Sequence, residues 1–147
     1  METTVISFNA TLLNEKTKSW LSDLLFIKDE HKFLLDATNE TTLEITNDDT
    51  QIEREEIIDA INRSEKRNCM LINTVENHLE ALDNCILDST AQTKNEFTAK
   101  HLLLQDKVNK YIATFKRLKK QLFEIIKKAK KHEKLEYLLD SKLSTLN

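Results

Sequence analysis

The sequence predicts an all-α fold: an antiparallel bundle of three long helices, with room for a short fourth at the C-terminus. Three observations carry that prediction. The 147 residues include no Gly and no Pro, where average usage would give about ten and about seven. Their absence removes primed hairpin turns, left-handed helix ends and proline corners, so long helices with few connections are favoured over sheets. Apolar residues recur every three or four positions over three long stretches, the period of one helix face. Two short polar breaks, at residues 46–50 and 88–90, separate those stretches. With 39% hydrophobic and 32% charged residues, the chain has the profile of a folded helical protein with a charged surface rather than a disordered one. Its length suits one domain over residues 1–147, with 1–13 as a candidate N-terminal arm.

The elements follow in order. Residues 3–13 mix β-branched and apolar side chains and fit an extended arm or a short helix. Asn14 followed by Glu15 reads as a helix start, and Trp20, Leu24, Ile27, His31, Leu34 or Leu35, Thr38 and Ile45 place helix 1 at about 14–46. The Thr-rich stretch 38–42 lowers helix propensity and can end it early. Thr50 and Glu53 have capping-box spacing and open helix 2. Its apolar face runs from Ile52 through Ile57, Ile61, Cys69, Ile72, Val75, Leu79 and Leu82 to Ile86. The polar interval 62–68 marks either an exposed bend or a polar layer. Ser89 and Gln92 repeat the capping-box spacing before helix 3, whose stripe includes Phe97, Leu104, Val108, Tyr111, Phe115, Leu118, Leu122, Ile125 and Ala129. That stripe resumes at Leu135, Leu138, Leu139, Leu143 and Leu146.

An unbroken third helix would be about 85 Å long against partners of about 50 Å. Its far stripe then needs cover, either from a turn near residues 130–134 and a short fourth helix or from another subunit. Charge is asymmetric as well. Residues 1–100 carry 10 basic and 20 acidic side chains and residues 101–147 carry 12 and 5, for net charges of −10 and +7. Acidic helices 1 and 2 flanking a basic helix 3 would favour one register.

Several chemistries are excluded in their standard forms. The dinucleotide fingerprint, the P-loop and the hydrolase elbow all need Gly where the backbone takes positive φ or approaches a ligand. No His has a Glu three residues before it, as a bundle di-metal centre requires; Lys28, Val75, Thr98 and Ala129 stand there instead, before His31, His78, His101 and His132. Cys69 and Cys85 lie sixteen residues apart on one helix, about 24 Å along its axis. They cannot bond to each other there and read as small buried or half-buried side chains in a reducing compartment. No cofactor and no metal is expected. The N-terminus lacks a basic and apolar leader pattern, no apolar run approaches a membrane span, and the expected location is cytoplasmic. The sequons at Asn9, Asn39 and Asn62 are then coincidental.

Residues 107–134 form a basic amphipathic segment, with eleven Lys or Arg and two acids around Phe115, Leu118, Leu122, Phe123 and Ile126. Such a helix suits an acidic protein partner, an anionic membrane or phosphates. An acidic pI near 5.8 and one arginine in the segment, Arg117, weigh against nucleic acid, and packing against acidic helices accounts for the charge without a membrane. The candidate interaction residues are Lys116, Arg117, Lys119, Lys120, Lys127, Lys128, Lys130 and Lys131. Trp20 joins them because Trp20 and Phe26, six residues apart, cannot both centre on one stripe.

The run Trp20-Leu21-Ser22-Asp23-Leu24-Leu25-Phe26-Ile27-Lys28-Asp29-Glu30-His31-Lys32-Phe33-Leu34 resembles the first-helix pattern of uncharacterised bacterial helical-bundle proteins. The resemblance covers about a tenth of the chain, implies a bundle and carries over no activity and no functional residue. The expectation is a non-enzymatic protein-interaction or scaffolding bundle, with a protein partner or a second copy. The alternatives are a metal-binding or enzymatic bundle using His31, His78 or His101, and membrane or nucleic-acid binding by residues 107–134.

Overall fold

The computed structural model describes residues 8–42, 48–88 and 90–145. Among them it forms three helices and no strand: α1 (Ala10–Thr42), α2 (Asp48–Leu87) and α3 (Ala91–Thr145). The helices pack as an all-α bundle, with α2 antiparallel to the other two.

The helix starts differ from the expected ones because more than one polar residue near each break can cap. Asn9, rather than Asn14, opens α1. Its side-chain Oδ1 accepts a hydrogen bond from the Leu12 N–H at 3.1 Å, and its carbonyl accepts from the Leu13 N–H at 3.0 Å. These bonds satisfy amides that have no partner inside the helix, so Asn14 falls in the second turn. Likewise α2 already runs at Asp48, which places Thr50 inside the first turn instead of at the cap. Ser89, the expected cap of α3, lies outside the described residues, as do the arm before Phe8 and the end of helix 1 at 46. The Thr90 carbonyl accepts the first α3 bond, from Lys94 N–H at 3.4 Å. Asp88 braces that turn by accepting from Thr90 N–H at 3.0 Å and from the Thr93 hydroxyl at 3.1 Å. The backbone bond from Thr90, and then the hydroxyls of Thr90 and Thr93, hold the Asp88 carboxyl below its ordinary range.

Every helix buries a seam of alternating four- and three-residue steps, the heptad pattern of supercoiled bundles. In α1 the seam is Leu13, Thr17, Trp20, Leu24, Ile27, His31, Leu34 and Thr38. In α2 it is Ile57, Ile61, Ser64 and Asn68, resuming at Val75, His78, Leu82 and Cys85. In α3 it is Phe97, His101, Leu104, Val108, Tyr111, Phe115, Leu118 and Leu122. The polar interval 62–68 is therefore a polar layer, since Ser64 and Asn68 sit on the seam.

The chain divides into two compact units, one of residues 1–29 and 66–113 and the other of 30–65 and 114–147. In the first, Leu13, Leu82, Cys85 and Phe97 form a core on which Phe8 packs, its ring edge-on to Phe97 at 6.3 Å. Farther along α1, the Asn68 side-chain amide donates to the Leu24 carbonyl at 3.0 Å. Low numbers on α1 thus meet high numbers on α2, the mark of antiparallel helices. In the second unit His31 Nε2 and the Ser64 hydroxyl are 2.8 Å apart, and the His31 ring leans on Phe115 at 4.9 Å. Buried hydroxyls elsewhere bond back to the carbonyl four residues earlier: Thr17 to Leu13, Thr38 to Leu34 and Thr98 to Lys94. This local bond makes threonine tolerable on a buried seam.

Beyond residue 130 α3 continues as one helix to Thr145. Of the two courses the sequence leaves open there, the backbone takes the unbroken one, and no turn separates a fourth helix. Leu138 and Leu139 are exposed on this last stretch.

Candidate protein-interaction surface

The basic residues singled out in the sequence lie in the second unit, on α3. Successive helical residues are about 100° apart, so Lys116, Lys120, Phe123 and Lys127, at steps of four, three and four, form one line along the helix. The seam residues Phe115, Leu118 and Leu122 face the other way, into the core. The line is therefore on the solvent side, where Lys116, Lys120 and Lys127 are exposed and Phe123 keeps 44% of its surface open. These four residues, with Lys119 and Glu124, border a shallow open depression of about 360 Å³. The Lys119 ammonium sits 6.0 Å from the centre of the Phe123 ring, at the limit of a cation–π contact.

Lys119 also forms the bridge to α1, with its Nζ 2.8 Å from Glu30 Oε2 and both groups partly shielded. It is the one candidate lysine with an ion pair to another helix among the described residues. Glu53 and Glu56 of α2 share an open groove of about 380 Å³ with Lys120 and Lys128, above Ile57 and Ile125, without closing an ion pair. Arg117 donates to the Thr114 hydroxyl at 3.3 Å. Lys128 and Lys131 are exposed, and the side chain of Lys130 is outside the described set.

Trp20 does not belong to this surface. It lies in the first unit at 8% exposure and stacks on His101, with ring centres 4.6 Å apart. The reason is its place on the seam with Leu24 and Ile27. Phe26, off the seam, is the aromatic that points out, at 64% exposure.

Sequence reasoning missed the polar cluster around that tryptophan. His78 Nε2 and His101 Nδ1 are 3.0 Å apart, and the His78 ring lies flat on Phe97 at 4.4 Å. One imidazole donates and the other accepts, which both rings satisfy when neutral. Burial, then the charge of Lys100, lowers the pKa of His78. Burial, then His78 and Lys16, lowers that of His101 to about 4, and the outer Nε2 of His101 has no hydrogen-bond partner. The three-four spacing from Val75 and Leu104 was the signal that both rings are core.

No carboxylate joins these rings, and no group of three or more His, Cys, Asp or Glu able to hold a metal ion occurs among the described residues. Cys85 is buried, and burial pushes its thiol pKa up. Cys69, expected to be at least half-buried, is exposed because it lies one residue off the Asn68 seam position. Among the described residues no helix is long and apolar enough to cross a membrane. No family model matches the chain, and neither a curated protein nor a solved structure does.

Proposed function

We propose that the chain is a non-enzymatic, cytoplasmic interaction or scaffolding bundle that docks an acidic protein surface on the outer face of α3. The observation that carries this reading is the line Lys116, Lys120, Phe123 and Lys127: an exposed aromatic framed by ammonium groups that form no ion pair among the described residues. What distinguishes Phe123 from the other exposed apolar residues is its setting among ammonium groups, which suits an interface that seats an apolar anchor within a charged rim. Lysine rather than arginine suits carboxylates met as point charges, without the planar two-toothed contact of a guanidinium.

A triple charge reversal, Lys116→Glu with Lys120→Glu and Lys127→Glu, tests the reading. These side chains are exposed, so helix content by circular dichroism should be unchanged. Proteins recovered from cell extract on immobilised wild-type chain should be lost from the reversed chain. Recovery of the same set on both would sink the proposal.

A further inference from the structure

The acidic start of α2 carries the counterpart of the basic line, in the same unit. Asp48, Ile52, Glu55 and Asp59 follow one another at steps of four, three and four, the same steps as Lys116, Lys120, Phe123 and Lys127. They too form one line along their helix. Ile52 is 56% exposed, an apolar residue left open among acids, and Glu55 and Asp59 are exposed. Ile57 and Ile61, which define the core side of α2, lie on the opposite face. When two helices run antiparallel, facing positions have a constant sum of residue numbers. Here 48 with 127, 52 with 123, 55 with 120 and 59 with 116 all give 175. One register therefore places the aromatic on the isoleucine and sets every lysine position against an acidic one. The chain cannot make this contact within itself, because its own α2 and α3 meet through their buried seams, whereas Ile52, Glu55 and Asp59 on one helix and Lys116, Lys120, Phe123 and Lys127 on the other are exposed.

We propose that the occupant of the basic α3 line is the acidic α2 line of a second copy of this chain, packed antiparallel in that register. This rests on the reading of α3 as a docking face and names its partner. Charge complementarity at three of the four matched positions, around the apolar fourth, sets orientation and register, as charged flanking positions do in coiled coils. The two lines lie on different flanks of the second unit, so one contact leaves an acidic line free on one copy and a basic line free on the other. Such a head-to-tail contact is heterologous and continues beyond the dimer until a ring closes.

The test is sedimentation equilibrium of the full chain over a concentration series at about 50 mM and about 500 mM salt, which screens exposed charges. The wild-type chain should show an average mass rising with concentration at low salt, through and beyond the dimer, and at least ten-fold weaker association at high salt. The Lys116→Glu/Lys120→Glu/Lys127→Glu chain and a chain with Glu55→Lys and Asp59→Lys should each be monomeric. An equimolar mixture of the two should associate again, because the unaltered α2 line of the first chain meets the unaltered α3 line of the second. A monomeric wild-type chain at every concentration and low salt overturns the proposal and needs no variant to fold. Association that persists in either reversed chain overturns it as well. The underlying reading fails separately, when extract recovery is the same for wild-type and reversed chains.

Discussion

His101 illustrates how a single buried side chain makes stability depend on pH. The folded state holds its pKa near 4, against an ordinary value of 6.5, so the unfolded chain takes up the proton first as pH falls. Between those two values unfolding binds protons, and stability falls with pH. The contribution is present in full above 6.5 and is lost as pH drops through 4; the lowered pKa of His78 acts with the same sign. The groups facing the pair are the cations Lys16 and Lys100 and the rings of Trp20 and Phe97, and none of them stabilises an imidazolium by charge pairing. A second proton on the pair would also aim two N–H donors at each other across 3.0 Å. The thermal midpoint should drop by roughly 5–10 °C from pH 7 to pH 4.5, with a visibly shallower slope for His101→Phe. Equal slopes for the two chains would assign the acid sensitivity to other groups.

Among the helices, the decisive feature is where polar residues interrupt an apolar seam. Asn68 is fully buried in α2, donates to the Leu24 carbonyl and leaves its Oδ1 without a partner. A buried polar group with incomplete bonding costs stability but restricts the registers in which helices can pair. Asn68→Leu should therefore raise the thermal midpoint by several degrees while broadening the amide NMR spectrum, as alternative registers become populated. A lowered midpoint would mean that the amide is fully satisfied in the native state. The seams themselves were legible where mainly apolar neighbours repeat at three and four residues, as Leu24, Ile27, His31 and Leu34 do in α1 and Leu104, Val108, Tyr111 and Phe115 do in α3. The polar seam members were not, since Ser64, Asn68 and His101 look like surface residues until their spacing is set beside that of their apolar neighbours. Helix starts were also hidden. Asn9 and Asn14 offer the same capping chemistry, and the choice between them depends on Leu13 reaching the core at 4% exposure.

At the level of the whole chain, the charge asymmetry was plain in the sequence. Acidic helices were expected to flank a basic α3 and favour one register, and one bridge, Lys119 to Glu30, joins a candidate lysine to another helix among the described residues. Sequence spacing already contained the matched lines on α2 and α3, but only burial separates an outward line from a seam. The steps four, three and four occur in both kinds. Trp20 was assigned outward for the same reason, because six residues of separation from Phe26 cannot say which of the two faces the core. The two thiols of α2 give the molecule an internal clock. Cys69 is open to a labelling reagent, while Cys85, buried and with its thiolate further disfavoured, reacts only when the first unit opens. Mass spectrometry of the native chain with a thiol reagent should show one label added at once and a second at least about a hundred-fold more slowly, at a rate set by opening. Simultaneous labelling would mean that the core around Leu82 and Phe97 is open in the native state. Followed down through the acid range, the second rate would time the loosening of the histidine stack without any substitution in the chain.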